Sequence, residues 1–403
     1  MRLFDVYMHG ILCLVLLLGC GDSGGNHRTP DAPSVSDQDT LAGDTATGSD
    51  TPRQSPRAIS TTVLVDSLAV NLNGGVGDVL FDAPDDTLSL TIIVHGTANG
   101  WYGIDSWIDP TGIALITPDW VTEAGNERGC FSCPVFTTQG AGASTTINPN
   151  RPESVVNPGT HTLQVVGFEG GFATDMAWVT VLAKRGDAWP VQGTVDLHFY
   201  FTGAQDWTAS TAPDDSYFDA VIARFNALYS AIGIQVGEMT FRDIDPELRT
   251  VSIDPANDTL GALVANSQAS LGDGAHIFFV EEILTGDPEY PSIPGVAAAV
   301  PNPPFLTGTI ASGVVISTKG PLSVLPERRF LDPPAIGQTL CHEMGHLLGL
   351  FHTSEYDKVS HDQFADTPEN DNTYLMHADG TGPKISDQQG RALLANPLVM
   401  HDE

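Results

Sequence analysis

Eleven consecutive residues constrain this chain more than any other stretch: His342-Glu343-Met344-Gly345-His346-Leu347-Leu348-Gly349-Leu350-Phe351-His352, the pattern H-E-x-x-H-x-x-G-x-x-H. A helix must carry the first two imidazoles and then stop. On that helix His342 and His346 stand one turn apart on the same face, about 5–6 Å between Cβ atoms, so both rings can converge on one metal ion at about 2.0–2.1 Å. Gly349 can take the positive φ that ends a helix without a Cβ clash, which lets the chain swing His352 round as a third ligand. Three protein ligands leave a fourth position for water, and this separates a catalytic zinc from a structural one closed by a fourth His or Cys. Zinc lowers the pKa of its water to about 7, and Glu343 beside the ligands is the general base for that proton. A buried helix with merely satisfied histidines has no need of three at this spacing.

The run resembles the zinc-endopeptidase signature of the metzincins. That resemblance implies a methionine-containing turn beneath the metal, and Met376 in Asn372-Thr373-Tyr374-Leu375-Met376-His377 matches it. Thr353 after the third histidine and Asp366-Thr367-Pro368 ahead of the methionine are most similar to the pappalysin-type branch. Pappalysin-like enzymes usually continue with Asp-Tyr, where this chain has His377-Ala378. The tyrosine that several metzincins bring to the metal or the oxyanion is therefore missing, which leaves Tyr374 and His377 as candidate stabilisers, with packing or surface placement the competing reading for both. The resemblance implies a zinc metalloendopeptidase of class EC 3.4.24 acting on protein or peptide substrates. Two other readings stand beside it. One is a catalytically inactive surface adhesion or binding protein on a metzincin fold, which the missing tyrosine favours and the intact Glu343 opposes. The other is hydrolysis of a non-peptide amide.

Charge narrows the partners. Seventeen Lys and Arg stand against 50 Asp and Glu among 403 residues, a formal charge of −33. That field repels phosphate backbones and excludes nucleic acid as a partner. Part of the acidity, Asp357, Asp362, Asp366, Glu369 and Asp371, crowds the stretch between His352 and Met376. Ca2+ is a second candidate cofactor there, although EF-hand spacing is absent.

The N-terminus reads as an export signal. Residues 1–19 carry Arg2 and an apolar run at 11–18, too short for a comfortable membrane-spanning helix. Leu17-Leu18-Gly19-Cys20 resembles the bacterial lipobox, which implies acylation of Cys20 and a cell-envelope lipoprotein held to the membrane by its lipid; plain secretion is the alternative. Residues 20–58 are rich in Gly, Ser, Thr, Asp and Pro, a composition from which a disordered tether is expected. Of the remaining cysteines, Cys130 and Cys133 are expected to form a local disulfide in an exported loop, with capping of the metal in a latent form as the sharper alternative. Cys341 reads as a buried free thiol.

Two folded units are predicted, an N-terminal all-β sandwich followed by an α/β (α+β) metzincin-like zinc protease domain. Over residues 59–190, β-forming runs at 62–65, 88–94, 113–116, 162–166 and 178–182 alternate with Gly, Pro, Asn and Asp turns, the pattern of a sandwich similar to pre-peptidase modules. Trp101, Trp107 and Trp120 read as core or turn packing, with a sugar platform the less economical alternative. Residues 191–403 form the second unit. A strand is expected at 194–201, a helix started by Asp214 and Asp215 and stopped by Gly233, a strand at 234–241, a helix at 260–270 and strands at 275–280 and 313–317. Asp332-Pro333-Pro334 opens the histidine helix, whose Ile336, Leu340, Leu347 and Leu348 face away from the metal. A closing helix is expected at 386–394. By resemblance, residues 314–316 are the cleft-lining edge strand.

Overall fold

The computed structural model describes residues 58–117, 129–130, 133–150, 154–254, 257–267, 272–288, 290–320, 330–356, 358–362 and 364–401. The signal segment, Cys20, nearly all of the tether, Trp120 and Asp357 lie outside the described residues. The chain is β-rich, with several separate sheets and few helices. Among the described residues no helix is long and apolar enough to cross a membrane.

The first two sheets share one core. In one, Ser60–Asn71, Met176–Arg185, Thr87–His95 and Ala143–Asn148 lie side by side, all antiparallel. In the other, Gly159–Glu169 pairs with Gly100–Ile108 and with Val76–Ala83, and Ala114–Ile116 extends it. Alternation along the strands sends Leu90, Ile92, Val94, Val179 and Val181 of the first sheet against Phe81, Tyr102, Ile104, Leu163 and Val165 of the second. Each side chain of this size contributes about 1.5–3 kcal/mol when fully buried. Trp107 is completely buried and donates its indole N–H to His161 Nδ1 at 3.1 Å, so it is a core residue.

The second half is built on a five-stranded sheet in the order Ile234–Asp243, Gly193–Phe201, Ala275–Val280, Val314–Ser317, Gly295–Ala297. The first four are parallel and the last is antiparallel. This corrects the expected edge: residues 314–316 are second from the edge, and the edge itself is Gly295–Ala297. Three residues starting with glycine are too short to show the alternation by which a strand is read.

Helix α1 (Ser216–Tyr229) starts where Asp215 accepts the N–H groups of Tyr217 and Phe218, and a short 3-10 turn after it stops at Gly233 with φ 83°. Within the helix predicted at 260–270, the described residues hold the short α2 (Leu260–Val264) and a turn at 265–266, while 268–270 lie outside the described residues. Helix α3 (Pro333–Leu348) is capped by Asp332, which accepts from the N–H of Ala335, with proline in its first turn. Helix α4 (Asp387–Ala395) has a capping box between Ser386 and Gln389.

α1 and α3 cover one face of the sheet. Phe218, Val221 and Phe225 of α1 and Ile336, Leu340 and Leu347 of α3 close a core with Leu197, Phe199, Ile277 and Ile316. Arg224 of α1 donates to Gln338 Oε1 at 2.6 Å and the Tyr229 hydroxyl donates to Cys341 O at 2.9 Å, which fixes the two helices against each other. Cys341 is free and buried, and burial pushes its thiol well above the usual range. α3 is thereby held with its histidine face turned from the core.

Candidate metal centre

The three histidines of the motif come together. α3 ends at Gly349, whose φ of 119° is open to glycine and unfavourable for any residue with a Cβ; the chain reverses there and returns His352 to the helix face. The Nε2 atoms stand 3.2 Å apart for His342 and His352, 3.2 Å for His346 and His342, and 3.1 Å for His346 and His352. All three side chains are buried. They are positioned to hold a metal ion.

The other ring nitrogens decide the tautomers. His342 Nδ1 faces Leu375 O at 2.7 Å and His346 Nδ1 faces Leu350 O at 2.8 Å. His352 Nδ1 lies 2.9 Å from both carboxylate oxygens of Glu355. Each partner only accepts, so each Nδ1 carries a hydrogen and each ring turns its Nε2 toward the other two. Burial, with the neighbouring imidazoles, lowers the pKa of His342 to about 3 and that of His346 well below its ordinary value. Three lone pairs about 3 Å apart repel unless a cation lies among them. Tetrahedral coordination at about 2.0–2.1 Å separates nitrogen ligands by about 3.3–3.4 Å, close to the spacing found. The donor set fits.

Glu343 is buried beside the trio and faces the edge strand. A Cβ on Gly295 would stand 2.7 Å from Glu343 Oε1, and the Ala297 backbone N–H donates to the carboxylate. Burial pushes the Glu343 carboxyl up to about 8, against the pull of that N–H. A divalent cation beside it acts in the opposite direction and favours the carboxylate.

Met376 is fully buried under α3. A Cβ on Gly345 would come 2.3 Å from its Sδ, so helix and methionine approach as closely as a glycine allows. The segment around it ties both arms of the site, since Leu375 O receives His342 and Met376 O accepts the N–H of Thr353 at 2.7 Å. His377 stays on this turn, its Nδ1 3.2 Å from Asp379 Oδ1, and its imidazole is close enough to His342 to add, after burial and His352, to the lowering of that residue's pKa. Tyr374 is engaged elsewhere. Its hydroxyl donates to Asp366 O at 2.8 Å, and its ring lies 5.7 Å from Lys384 Nζ in a groove lined by Ala227, Leu228 and Ile232. None of the three histidines lines that groove, whereas His377 acts electrostatically on His342.

Glu355 is the residue that reading the sequence missed. It lies in an irregular stretch whose only signal is a carboxylate three residues past a histidine. Replacing a residue that orients a metal-bound histidine typically costs 10–100-fold in affinity, and Glu355→Ala is expected to weaken zinc binding by about that factor without changing stoichiometry. Competition with a chromophoric chelator measures it; an unchanged affinity removes Glu355 from the site.

Of the predicted calcium cluster, Asp371 binds its own loop at Thr373 and Glu369 is exposed beside His361. Asp362 and Asp366 differ. Asp362 Oδ1 accepts from Thr367 at 2.5 Å and Asp366 Oδ2 from the Gln388 N–H at 3.0 Å, while Asp362 Oδ2 and Asp366 Oδ1 are buried with no hydrogen-bond partner among the described residues. Burial first, and then the charge of Asp366, raise the Asp362 carboxyl to about 7. Cys133 is disulfide-bonded, and the side chain of Cys130, its expected partner, lies outside the described residues.

No protein-family model matches the sequence, and no curated protein is significantly similar to it. Among solved structures, the chain is similar to metalloproteinase-II from Bacteroides fragilis at 15% identity and a TM-score of 0.32, over 52% of this chain and 55% of that one. A family two carbohydrate esterase from Clostridium thermocellum, an active-site mutant, is similar at 7% identity and a TM-score of 0.12, over 55% of this chain and 65% of the esterase. The chain thus spans about half of the metalloproteinase and under two thirds of the esterase.

Proposed function

We propose that this chain is a zinc-dependent endopeptidase of metzincin type, similar to the pappalysin branch, held at the bacterial cell envelope through Cys20 and the tether. The observation that carries the reading is the convergence of three Nε2 lone pairs within 3.2 Å, each backed by an acceptor on its Nδ1. His342, His346 and His352 would hold the ion. Zinc bound there supplies Lewis-acid polarisation of a scissile carbonyl and acidifies water.

The chain's own residues then divide the remaining work. Glu343 Oε1 takes a proton from the attacking water and returns it to the departing amine, which asks of it one base and one acid step. The Ala297 N–H fixes that carboxylate in place. Met376 supports the floor of the site. The edge strand Gly295–Ala297 has one side free of ladder partners among the described residues, and an extended peptide added there as a further strand would pass beside Glu343. His377 is the side chain of the turn nearest to a stabilising role.

Calcium is proposed at Asp362 and Asp366, whose orphaned oxygens favour a hard cation. The sign of the linkage follows from the raised Asp362 pKa. The folded state keeps a proton that the unfolded chain releases, so this contribution is fully present below about pH 4 and is lost as pH climbs through about 7. In calcium-free buffer the melting temperature is expected to fall between pH 5 and 8, and both added calcium and Asp362→Asn are expected to flatten that fall. A pH profile indifferent to both would remove the calcium site.

Purified protein incubated with denatured casein, with and without a zinc chelator, tests the function. Cleavage that the chelator abolishes and zinc restores is the expected result. Stoichiometric zinc without cleavage of casein or of a broad peptide library would favour the inactive adhesion module.

A further inference from the structure

The β-sandwich touches the histidine site from two sides. The turn at 349–351 joins the second and third histidines, and Phe136 of the sandwich lies edge-on to Phe351, with centroids 3.9 Å apart at 61°. Ile147, in the strand Ala143–Asn148, places Cδ1 3.4 Å from where a Cβ on Gly349 would sit. On this side the ligand turn rests directly on sandwich side chains.

On the other side the contact runs through Lys184, in the strand Met176–Arg185. Its side chain is buried, and Nζ donates to Leu394 O at 2.8 Å, Asn396 O at 2.7 Å and Val399 O at 2.8 Å. The Ser89 hydroxyl adds a bond to Ala395 O at 3.0 Å. Leu394 and Ala395 belong to the last turn of α4, whose carbonyls lack intrahelical partners and favour a cation. The sandwich therefore caps a helix of the other half. Asn396 passes the connection on, donating Nδ2 to Leu348 O at 3.0 Å on the last residue of α3.

Two units joined only by a linker meet through polar, hydrated surface. Here a buried Nζ faces three carbonyl oxygens and also His401 Nε2 at 3.0 Å, a polar cage that offsets the cost of desolvating it and that no apolar side chain reproduces. Burial lowers the Lys184 pKa to about 7.

We propose that the sandwich is a working part of the metal centre, bracing the turn that delivers His352, with Phe136 and Lys184 as positioning residues. The proposal rests on the reading of the trio as metal ligands. It assigns the sandwich a task that neither substrate capture nor spacing requires.

Three variants of the full chain test it: Phe136→Ala, Lys184→Met, and Val79→Ala as a control that weakens the sandwich core at a residue paired with Leu163 and named in none of the contacts above. Amide hydrogen exchange of the metal-free protein, read by mass spectrometry on peptides spanning 345–353, is paired with zinc affinity by chelator competition. Phe136→Ala and Lys184→Met should each speed exchange at 349–352 about ten-fold and weaken zinc about 10–100-fold, as loss of an orienting contact does elsewhere. Val79→Ala should change neither. Exchange at the turn that is unchanged in both variants, or equally fast in the control, overturns the proposal. If Phe136→Ala does not fold, Phe136→Leu takes its place. Should the wild-type chain take up no zinc, the protease reading fails while the exchange comparison still decides whether the sandwich braces the turn.

Discussion

Glu343→Ala is expected to keep about one zinc ion per chain while losing peptidase activity by about 10²–10⁴-fold, the usual contribution of a positioned general base. The side chain is not among the three that converge, so removing it leaves every Nε2 and every Nδ1 partner in place. Its carboxylate is the acidic group seated between α3 and the edge strand, where a peptide paired to Gly295–Ala297 would pass. The loss should fall on kcat, because proton transfer belongs to the transition state and substrate binding does not use it. Glu343→Gln should lose nearly as much, since it keeps shape but cannot take the proton. Turnover within a few-fold of wild type in either variant would remove Glu343 from the chemistry while leaving the ion where it is.

His346→Ala is expected to lose both metal and activity. Site energies of about 10–16 kcal/mol for four zinc ligands come to about 2.5–4 kcal/mol each, so deleting one should weaken binding by about 10²–10³-fold. The substitution also strips a buried side chain from the site-facing side of α3 and leaves Leu350 O without its His346 donor, so the melting temperature should fall as well. Separating the two effects requires measuring affinity at a temperature where the variant is folded. Zinc held as tightly as in wild type would mean that a different donor set binds it.

Much of the site was legible because its geometry is local. His342, Glu343 and His346 sit within five residues on one helix, and Asp332, the prolines and Gly349 mark that helix at both ends. The α1 periodicity and the sandwich strands were readable for the same reason: alternation and 3.6-residue spacing are properties of short windows. Where structure depends on distant pairs the sequence was silent. Lys184 follows Leu182 and Ala183 in a strand and nothing local marks it as buried, since its acceptors lie 210 or more residues away. The edge strand was misplaced because three residues show no pattern, and only the ladder of Val314–Ser317 reveals Gly295–Ala297 as its outer neighbour. Tyr374 looked available because it is two residues from Met376; its hydroxyl goes to Asp366, a choice made by how the irregular loop folds back. Glu355 was missed because loop residues carry no periodicity to mark which of them turn inward.

The most direct test of the central claim is elemental analysis of the purified full-length protein after dialysis against metal-free buffer and then against micromolar zinc. About one equivalent of zinc per chain, lost when His342, His346 and His352 are replaced together by alanine, is the expected result. A wild-type chain that takes up no transition metal, or a triple variant that retains its full equivalent, would contradict it.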